Sequence, residues 1–326
     1  MKPNKSSRGL SALLTAWVLT FFAIQTYADQ PATTQAADSL STKPAVIEIP
    51  GREPRRNADG QLARIRLGVI VSHFSATGPN ITGRAGFGWA SKAFRDGLLD
   101  NEFDCYPIID PGTAKLDDVP DFITKNFPNR KPIDCSDTAA MAEVDVIAAP
   151  FVLKVSPEML QAVESAVHDR GTGLFIRAWF GNDSPGYTEP LLALHGLSSG
   201  QWGWNAKDQD CKVLLEHPIL QGTALHVGDA LKMEPNGAYG VSHAIPIIGV
   251  DMQTISPVGP NTVPNKPEFQ FAPLAVSGHG KGRIVTFSVL GHNNDTRTRN
   301  AIHTITVRSV KWLAGQLEEN AKDGGL

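Results

Sequence analysis

Cysteine is scarce in this chain of 326 residues, which contains only Cys105, Cys135 and Cys211. None of them forms a Cys-x-x-Cys pair, a haem-attachment motif or a spacing with histidine that is typical of zinc sites. In an oxidising compartment, three cysteines permit one disulfide and one free thiol, with three choices of pair. Cysteine therefore supports neither a disulfide scaffold nor a metal centre, and the sequence gives no sign of a cofactor.

An excess of basic residues is also missing. The chain has 30 basic and 33 acidic side chains. Residues 1–28 hold three of the basic residues and no acidic residue, so the rest of the chain has 27 basic side chains and a formal charge of −6. Nucleic-acid binding requires a basic surface, and no polybasic patch suggests binding to anionic lipid. We therefore expect neither partner.

Long apolar runs are limited to one, LSALLTAWVLTFFAI, near the start of the chain. Three basic residues precede this run, and Thr26-Tyr27-Ala28 follows it with small residues suited to cleavage after Ala28. The three regions together predict a secretory signal peptide over residues 1–28 and a secreted or periplasmic location. An uncleaved N-terminal anchor is the alternative, although the run is shorter than the ~20 residues that a span usually needs. After cleavage we expect no association with the membrane.

Composition divides the remainder of the chain into three parts. Residues 29–61 are rich in Ala, Thr, Ser, Pro and charged residues, which is typical of a low-complexity linker or arm. Residues 318–326 have the composition of a flexible tail. The folded domain is therefore expected over residues 62–317, with an irregular proline-rich insertion at 254–273.

Strand and helix patterns alternate within this domain. Apolar runs at 65–71, 103–109, 144–149 and 174–178 are typical of buried parallel strands. Helix patterns follow some of them; the clearest begins at Ser156-Pro157 and stops at Gly171. Gly278, Gly280 and Gly282 predict the turn of an antiparallel hairpin, and a final helix is expected at about 298–316. The fold class is thus α/β, a doubly wound, mostly parallel sheet with a C-terminal antiparallel hairpin.

Two motifs of this chain resemble those of a known family. PLAV followed by GHGKGRIVTFSVLGHN is similar to the closing hairpin and Gly-His turn of the trehalose-utilisation (ThuA-like) family. His217-Pro218-Ile219 matches a His-Pro-Ile element that the family carries in mid-domain. The resemblance covers most of residues 62–316. It implies the flavodoxin-like fold of class I glutamine amidotransferases and a role near sugar metabolism, without defining a reaction.

The residues at the expected nucleophile position are unsuited to amidotransferase chemistry. Enzymes of this fold place a cysteine thiolate in a sharp turn after a strand, with a distant histidine as base. The matching stretch here is GTGLFIRAWFGNDS, which puts Trp179 at or near that position. Ser184 follows the turn and lacks the Gly-x-Ser-x-Gly setting of a hydrolase. We therefore expect no glutaminase activity.

Polar residues directly follow the predicted parallel strands. In an open parallel sheet such loops converge on the carboxyl edge, where ligands bind. We expect substrate-binding residues here, with two histidines as the candidate catalytic groups because their pKa lies near neutrality. The catalytic candidates are His73 and His292, and the substrate-binding candidates are Trp179, Asn182, Asp183, Asn294 and Asp295. Asp110 also follows a strand at this edge. Carboxylates and amides bind hydroxyl groups and an aromatic face packs on a sugar ring, so the expected ligand is a sugar-like small molecule.

Each of these residues also has a purely structural interpretation. Asp295 can belong to the start of the final helix, Trp179 can pack in the core, and His292 can bond to loop backbone. His217, before a proline, is expected to set a turn. Arg177 is expected to form a buried ion pair or to clamp a ligand.

The sequence leaves open whether the protein is an enzyme. The alternatives to sugar binding are a non-catalytic accessory or scaffold domain of the cell envelope and a metal-dependent hydrolase. No HxH, HxxxH or HExxH motif supports a metal site, and the oligomeric state is left open.

Overall fold

The computed structural model describes residues 49–71, 103–110, 127–150, 156–177, 197–198, 209–233, 240–241, 244–250, 272–287, 289 and 296–317. Within these ranges the strands are β1 Arg66–Val71, β2 Asp104–Ile109, β3 Ile133–Asp134, β4 Val146–Pro150, β5 Gly173–Arg177, β6 Leu197–Ser198, β7 Gln209–Val213, β8 Ala230–Met233, β9 Gly240–Val241, β10 Ile245–Val250, β11 Leu274–His279 and β12 Gly282–Phe287. The α-helices are α1 Thr138–Ala142, α2 Pro157–Arg170 and α3 Thr296–Leu313, and Pro218–Leu220 forms a 3₁₀ turn. The predicted signal peptide, most of the linker and the C-terminal tail lie outside the described residues, so the domain boundaries stay predictions.

Ten strands form one sheet in the order β3-β2-β1-β4-β5-β12-β11-β10-β7-β8. The pairs from β3 to β12 are parallel, and the pairs from β12 to β8 are antiparallel. This is the predicted α/β flavodoxin-like class with antiparallel strands at its C-terminal end. The antiparallel part is wider than the expected hairpin, because β10, β7 and β8 extend it. A separate two-stranded ladder joins β6 and β9.

Hydrophobic side chains of the parallel strands alternate between two cores, one on each face of the sheet. Val146 and Ala148 of β4 belong to one core, while Ile147 and Ala149 belong to the other. The core of Val146 also contains Ile302, Ile305 and Val310 of α3. The opposite core contains Met159, Val163 and Ala166 of α2. Helices therefore cover both faces, which explains why the parallel strands are apolar throughout rather than alternating with polar residues.

Helix α2 has the boundaries that the sequence predicts. Ser156 is its N-cap, and its hydroxyl oxygen accepts a hydrogen bond from the backbone N–H of Met159 at 3.1 Å. Pro157 occupies the first helical position, where a missing N–H costs nothing. Gly171 closes the helix in the left-handed conformation with φ 77°, which glycine adopts without a Cβ penalty.

The β11–β12 hairpin is confirmed, and Gly278, Gly280 and Gly282 differ in the structural reason for a glycine. Only Gly280 has a positive φ, of 59°. Gly282 lies within β12, and a Cβ there would come 2.6 Å from the carbonyl oxygen of Val167. This glycine is therefore required by the close approach of α2 to the sheet, since a side chain would collide with helix backbone.

The amino edge of the parallel sheet is covered by the end of the predicted linker. Ile49 is buried in the core with α3, and its carbonyl oxygen accepts a hydrogen bond from Arg283 Nε at 2.9 Å. Arg52 and Arg55 form ion pairs with Asp145 at 3.5 and 3.1 Å. Residues 49–56 thus contact the folded domain by apolar burial and by ion pairs.

Candidate functional site

The parallel strands end along one row at the carboxyl edge. Register pairs Val71 of β1 with Ile109 of β2, and Pro150 of β4 with Arg177 of β5. Thr286 of β12 pairs with Ile176, so Phe287 follows in the row beside Arg177. Neighbouring strands lie about 4.8 Å apart. The chain therefore leaves β1, β4, β5 and β12 along one edge, with the ends of β5 and β12 adjacent.

The seven candidate site residues follow these strand ends. All of them lie outside the described residues: His73, Trp179, Asn182, Asp183, His292, Asn294 and Asp295. His73 comes two residues after Val71, and Trp179 comes two residues after Arg177. The side chain of Arg177 lies outside the described part as well. Their assignment to a site therefore stays a prediction.

The strand order reverses between β1 and β4. From β1 the chain proceeds to β2 and β3 on one side, and then crosses to β4 and β5 on the other side. In open α/β sheets, ligands bind in the crevice outside the carboxyl ends of the strands at such a switch point. This location agrees with the carboxyl edge at which the sequence predicts the site.

Asp110 connects three chain segments at the switch point. It is the first residue after β2 and is 0% exposed. Its backbone N–H donates to the carbonyl oxygen of Val71, the last residue of β1, at 3.3 Å. Its carboxylate oxygen Oδ2 accepts a hydrogen bond from the backbone N–H of Ser156 at 2.9 Å. Asp110 thus bonds to the end of β1 through its backbone N–H and to the start of α2 through its carboxylate, at a helix end where the dipole favours a negative charge.

All three cysteines are buried, and none of them forms a disulfide. Cys105 is the second residue of β2, near its amino end, and Cys211 is the middle residue of β7. Cys135 directly follows β3 at the carboxyl edge, but burial, reinforced by the charges of Asp134 and Asp110, raises its pKa to about 11. A thiolate is the reactive form of cysteine. Cys135 is therefore a protonated, apolar core residue at neutral pH.

The motif His217-Pro218-Ile219 is architectural. The ring of His217 caps the 3₁₀ turn, since its Nδ1 accepts a hydrogen bond from the Ile219 N–H at 3.3 Å. The same ring lies edge-on against Trp312 of α3, with the ring centroids 4.9 Å apart. Burial and the nearby positive charge of Arg283 lower the pKa of His217 to about 4. The prediction that His217 sets a turn is confirmed.

Arg283 of the Gly-Lys-Gly-Arg motif has a role that sequence reasoning missed. Its side chain is buried, and its guanidinium lies over the Trp312 ring with Cζ 4.7 Å from the centroid. Its Nη1 also donates to the carbonyl oxygen of Trp312 at 3.0 Å. The guanidinium therefore ties the hairpin to the end of α3. An arginine in an otherwise apolar strand was the signal that could have indicated this role.

The described part of the chain offers neither a metal cluster nor a membrane span. Across the ranges that the structure describes, no three His, Cys, Asp or Glu side chains are grouped so that they could hold a metal ion. In the same part of the chain, no helix combines the length and the apolar composition that crossing a bilayer requires.

Several solved structures are similar to this chain, at low sequence identity and with TM-scores below 0.5. No protein-family model and no curated protein sequence matches the chain. Among solved structures, a ThuA-like protein from Bacteroides uniformis covers 80% of this chain and 95% of its own, at 12% identity and TM-score 0.48. A ThuA-like protein from Parabacteroides merdae covers 77% of this chain and 90% of its own, at 13% identity and TM-score 0.45.

β-Galactosidases also match, including that of Bacillus circulans sp. alkalophilus at 10% identity and TM-score 0.46. The match covers 80% of this chain but only 32% of the β-galactosidase, so the present chain corresponds to about a third of that enzyme's length. These similarities concern the fold alone.

Proposed function

We propose that this protein is a secreted or periplasmic ThuA-like domain that lacks the amidotransferase nucleophile and binds a carbohydrate-derived small molecule at the carboxyl edge of its sheet. The observation that carries the proposal is the common row of strand ends. Because the chain leaves β1, β5 and β12 at one edge, the segments that follow these strands, which contain His73, Trp179 and His292, start at that edge.

The state of the cysteines supports the loss of amidotransferase chemistry. Cys105 and Cys211 are within strands, and the raised pKa of Cys135 leaves its thiol protonated. The segment after β5, where amidotransferases of this fold carry their nucleophile, has Trp179 instead. Removing a nucleophile costs on the order of 10⁶-fold in catalysis. An indole at this point is instead suited to stacking on a sugar ring.

The proposal is tested with the purified full chain and a panel of neutral mono- and disaccharides, measured by thermal shift and by isothermal titration calorimetry. We expect at least one sugar to bind. Trp179→Ala and His292→Ala should each weaken that binding by about tenfold, which corresponds to the ~1.4 kcal/mol of one ring or hydrogen-bond contact.

The matched control is His168→Gln. His168 is a half-exposed histidine in the last turn of α2, next to the hairpin turn at the amino edge. This substitution should leave sugar affinity within about twofold, as expected for a surface change far from the ligand. Absence of binding by every sugar would contradict the proposal and favour an accessory domain. A hydrolase activity of the purified protein that EDTA abolishes would favour the metal-dependent hydrolase.

A further inference from the structure

The amino edge of the sheet has a groove that the chain fills with its own residues 49–56, which we call the arm. The side chain of Ile49 is buried in the core that contains α3, and its carbonyl oxygen accepts a hydrogen bond from Arg283 of β12. Arg52 Nη1 donates to the carbonyl oxygen of Val144, just before β4, at 3.1 Å. The walls of the groove therefore come from parts of the chain that lie far from the arm in the sequence.

One buried carboxylate of the groove binds two arginines of the arm. Asp145 pairs with Arg52 at 3.5 Å and with Arg55 at 3.1 Å, and its own side chain is only 5% exposed. Hydrogen bonds between ionised groups are stronger than neutral ones, and partial burial reduces their screening by water. The groove is therefore suited to an extended segment in which an apolar residue is followed by two arginines, three positions apart.

Two glycines provide the space in which the arm lies. A Cβ at Gly278 would come 3.1 Å from Ile49 Cγ2, closer than the roughly 3.5–4.0 Å at which carbon atoms pack. Gly278 does not have a positive φ, so the backbone of β11 does not itself require a glycine there. A Cβ at Gly315, after α3, would come 2.6 Å from the carbonyl oxygen of Arg52. The surface of the groove is thus complementary in shape to the arm as well as in charge.

A short exposed turn connects the arm to β1. Arg56 and Leu62 pair across an antiparallel bridge, and the residues between them, 57–61, are exposed. The turn is closed by a local hydrogen bond from the Asn57 N–H to the carbonyl oxygen of Gln61 at 2.8 Å. If this turn opens, the arm can enter the groove of another molecule and make the same contacts there, which is how identical chains exchange a segment.

We propose that the amino-edge groove is an interaction surface for a second copy of this chain, whose arm occupies the groove in trans. The second copy is the partner because its arm supplies the apolar residue and the two arginines that the groove contacts. A short tether gives the chain's own arm an effective concentration on the order of millimolar. At about 10 µM protein the monomer is therefore favoured by about a hundredfold, and exchange becomes dominant when the turn cannot close. The inference is independent of the proposed ligand, which concerns the opposite edge of the sheet.

The first experiment deletes residues 57–61 from the full chain, which joins Arg56 directly to Leu62 and prevents the arm from folding back. We expect a dimer at about 10 µM by size-exclusion chromatography with light scattering, because each arm reaches only the groove of another copy. Replacing the five residues by glycine and serine is the matched control and should leave a monomer. Gly278→Val, which fills the space of Ile49, should weaken the dimer of the deletion variant by about tenfold or more. A folded monomer of the deletion variant, or a dimer that Gly278→Val does not weaken, would overturn the inference.

The second experiment needs no deletion, and it decides the matter if the deletion variant does not fold by circular dichroism. A fluorescent peptide with the sequence of residues 49–56 is titrated into the unmodified full chain and into Arg52→Ala, whose own arm is held less tightly. We expect the peptide to bind Arg52→Ala about tenfold more tightly, because the arm of that variant competes less. A peptide with glutamine in place of Arg52 and Arg55 is the control and should bind about tenfold more weakly than the native peptide. No binding to Arg52→Ala, equal affinity of the two proteins, or equal affinity of the two peptides would overturn the inference.

Discussion

The carboxylate of Asp145, directly before β4, accepts a hydrogen bond from the backbone N–H of Arg66, the first residue of β1, at 2.8 Å. The same buried carboxylate pairs with Arg52 and Arg55 of the segment that covers the amino edge. Asp145 therefore holds two neighbouring strands and this segment together through one side chain.

Replacing Asp145 should destabilise the protein markedly. We expect Asp145→Ala to lower the free energy of unfolding by about 3 kcal/mol, because it leaves partly buried guanidinium groups and a backbone N–H without their acceptor. Asp145→Asn, which keeps an acceptor, should cost less. Urea denaturation measures both variants. Glu143→Gln is the control, since Glu143 is an exposed partner of Arg66 and such pairs contribute about 1 kcal/mol or less. Equal losses for Asp145→Ala and Glu143→Gln would contradict this role.

The burial of His217 predicts a loss of stability in acid. Its pKa is about 4 in the folded protein, against an ordinary value of 6.5. The unfolded chain therefore binds more protons than the folded protein between these two pH values. The stability that depends on a neutral His217 is fully present above pH 6.5 and is lost as the pH falls towards 4. The difference corresponds to about 3 kcal/mol, at about 1.36 kcal/mol for each pH unit.

Urea denaturation between about pH 7.5 and pH 4 measures this effect for the unmodified protein and for His217→Asn, in which a short amide can still cap the turn. The variant should lose much of the pH dependence. His226→Gln changes an exposed histidine and should retain it. If the free energy of unfolding depends on pH equally in the unmodified protein and in His217→Asn, His217 is not the source of the pH dependence.

The contact between α3 and β5 predicts intolerance of a side chain at Gly173. A Cβ there would lie 2.6 Å from Leu313 Cβ and 2.9 Å from the Leu313 carbonyl oxygen. Because the obstruction is helix backbone, Gly173→Ala should cost about 2 kcal/mol through displacement of α3. Gly249→Ala is the control, since its nearest neighbour is the end of the Leu214 side chain at 2.8 Å, which can rotate away. Thermal unfolding should show a clearly larger decrease in Tm for Gly173→Ala than for Gly249→Ala.

The cysteines should be unreactive in the native protein. With a pKa of about 11, Cys135 is about 0.1% thiolate at pH 8. All three cysteines are also buried. Alkylation by iodoacetamide, followed by mass spectrometry, should be slow under native conditions and fast in concentrated guanidinium chloride. Because the charge of Asp110 helps to raise the pKa of Cys135, Asp110→Asn should lower that pKa. Rapid labelling of Cys135 in the native protein would contradict this prediction and would make Cys135 a candidate nucleophile.

The fold was predictable from sequence where local signals and burial agree. Helix α2 was found with its limits because Ser156, Pro157 and Gly171 are strong start and stop residues. The apolar runs of β1, β2, β4 and β5 were found because both faces of these strands are buried. Strands β7 and β8 were missed because they lie at the periphery and mix apolar with charged residues, as in Gln209–Val213.

The interactions that join distant segments were not predictable from sequence. Asp110 was recognised as a residue at the carboxyl edge, but its bond to Ser156 spans 46 residues and has no local signature. The roles of Arg283 and Asp145 likewise depend on partners far along the chain. The candidate site itself consists of residues outside the described part, so its prediction rests on the strand ends that precede it.

The guanidinium of Arg283 donates from Nε to the carbonyl of Ile49 and from Nη1 to the carbonyl of Trp312. The first and last segments of the described fold therefore meet at one side chain, on the margin away from the proposed ligand. A fusion partner or an immobilising tag added at either side of the domain should leave ligand access open. A circular permutant that links these two segments by a short flexible peptide should fold, with its new termini available for placement elsewhere.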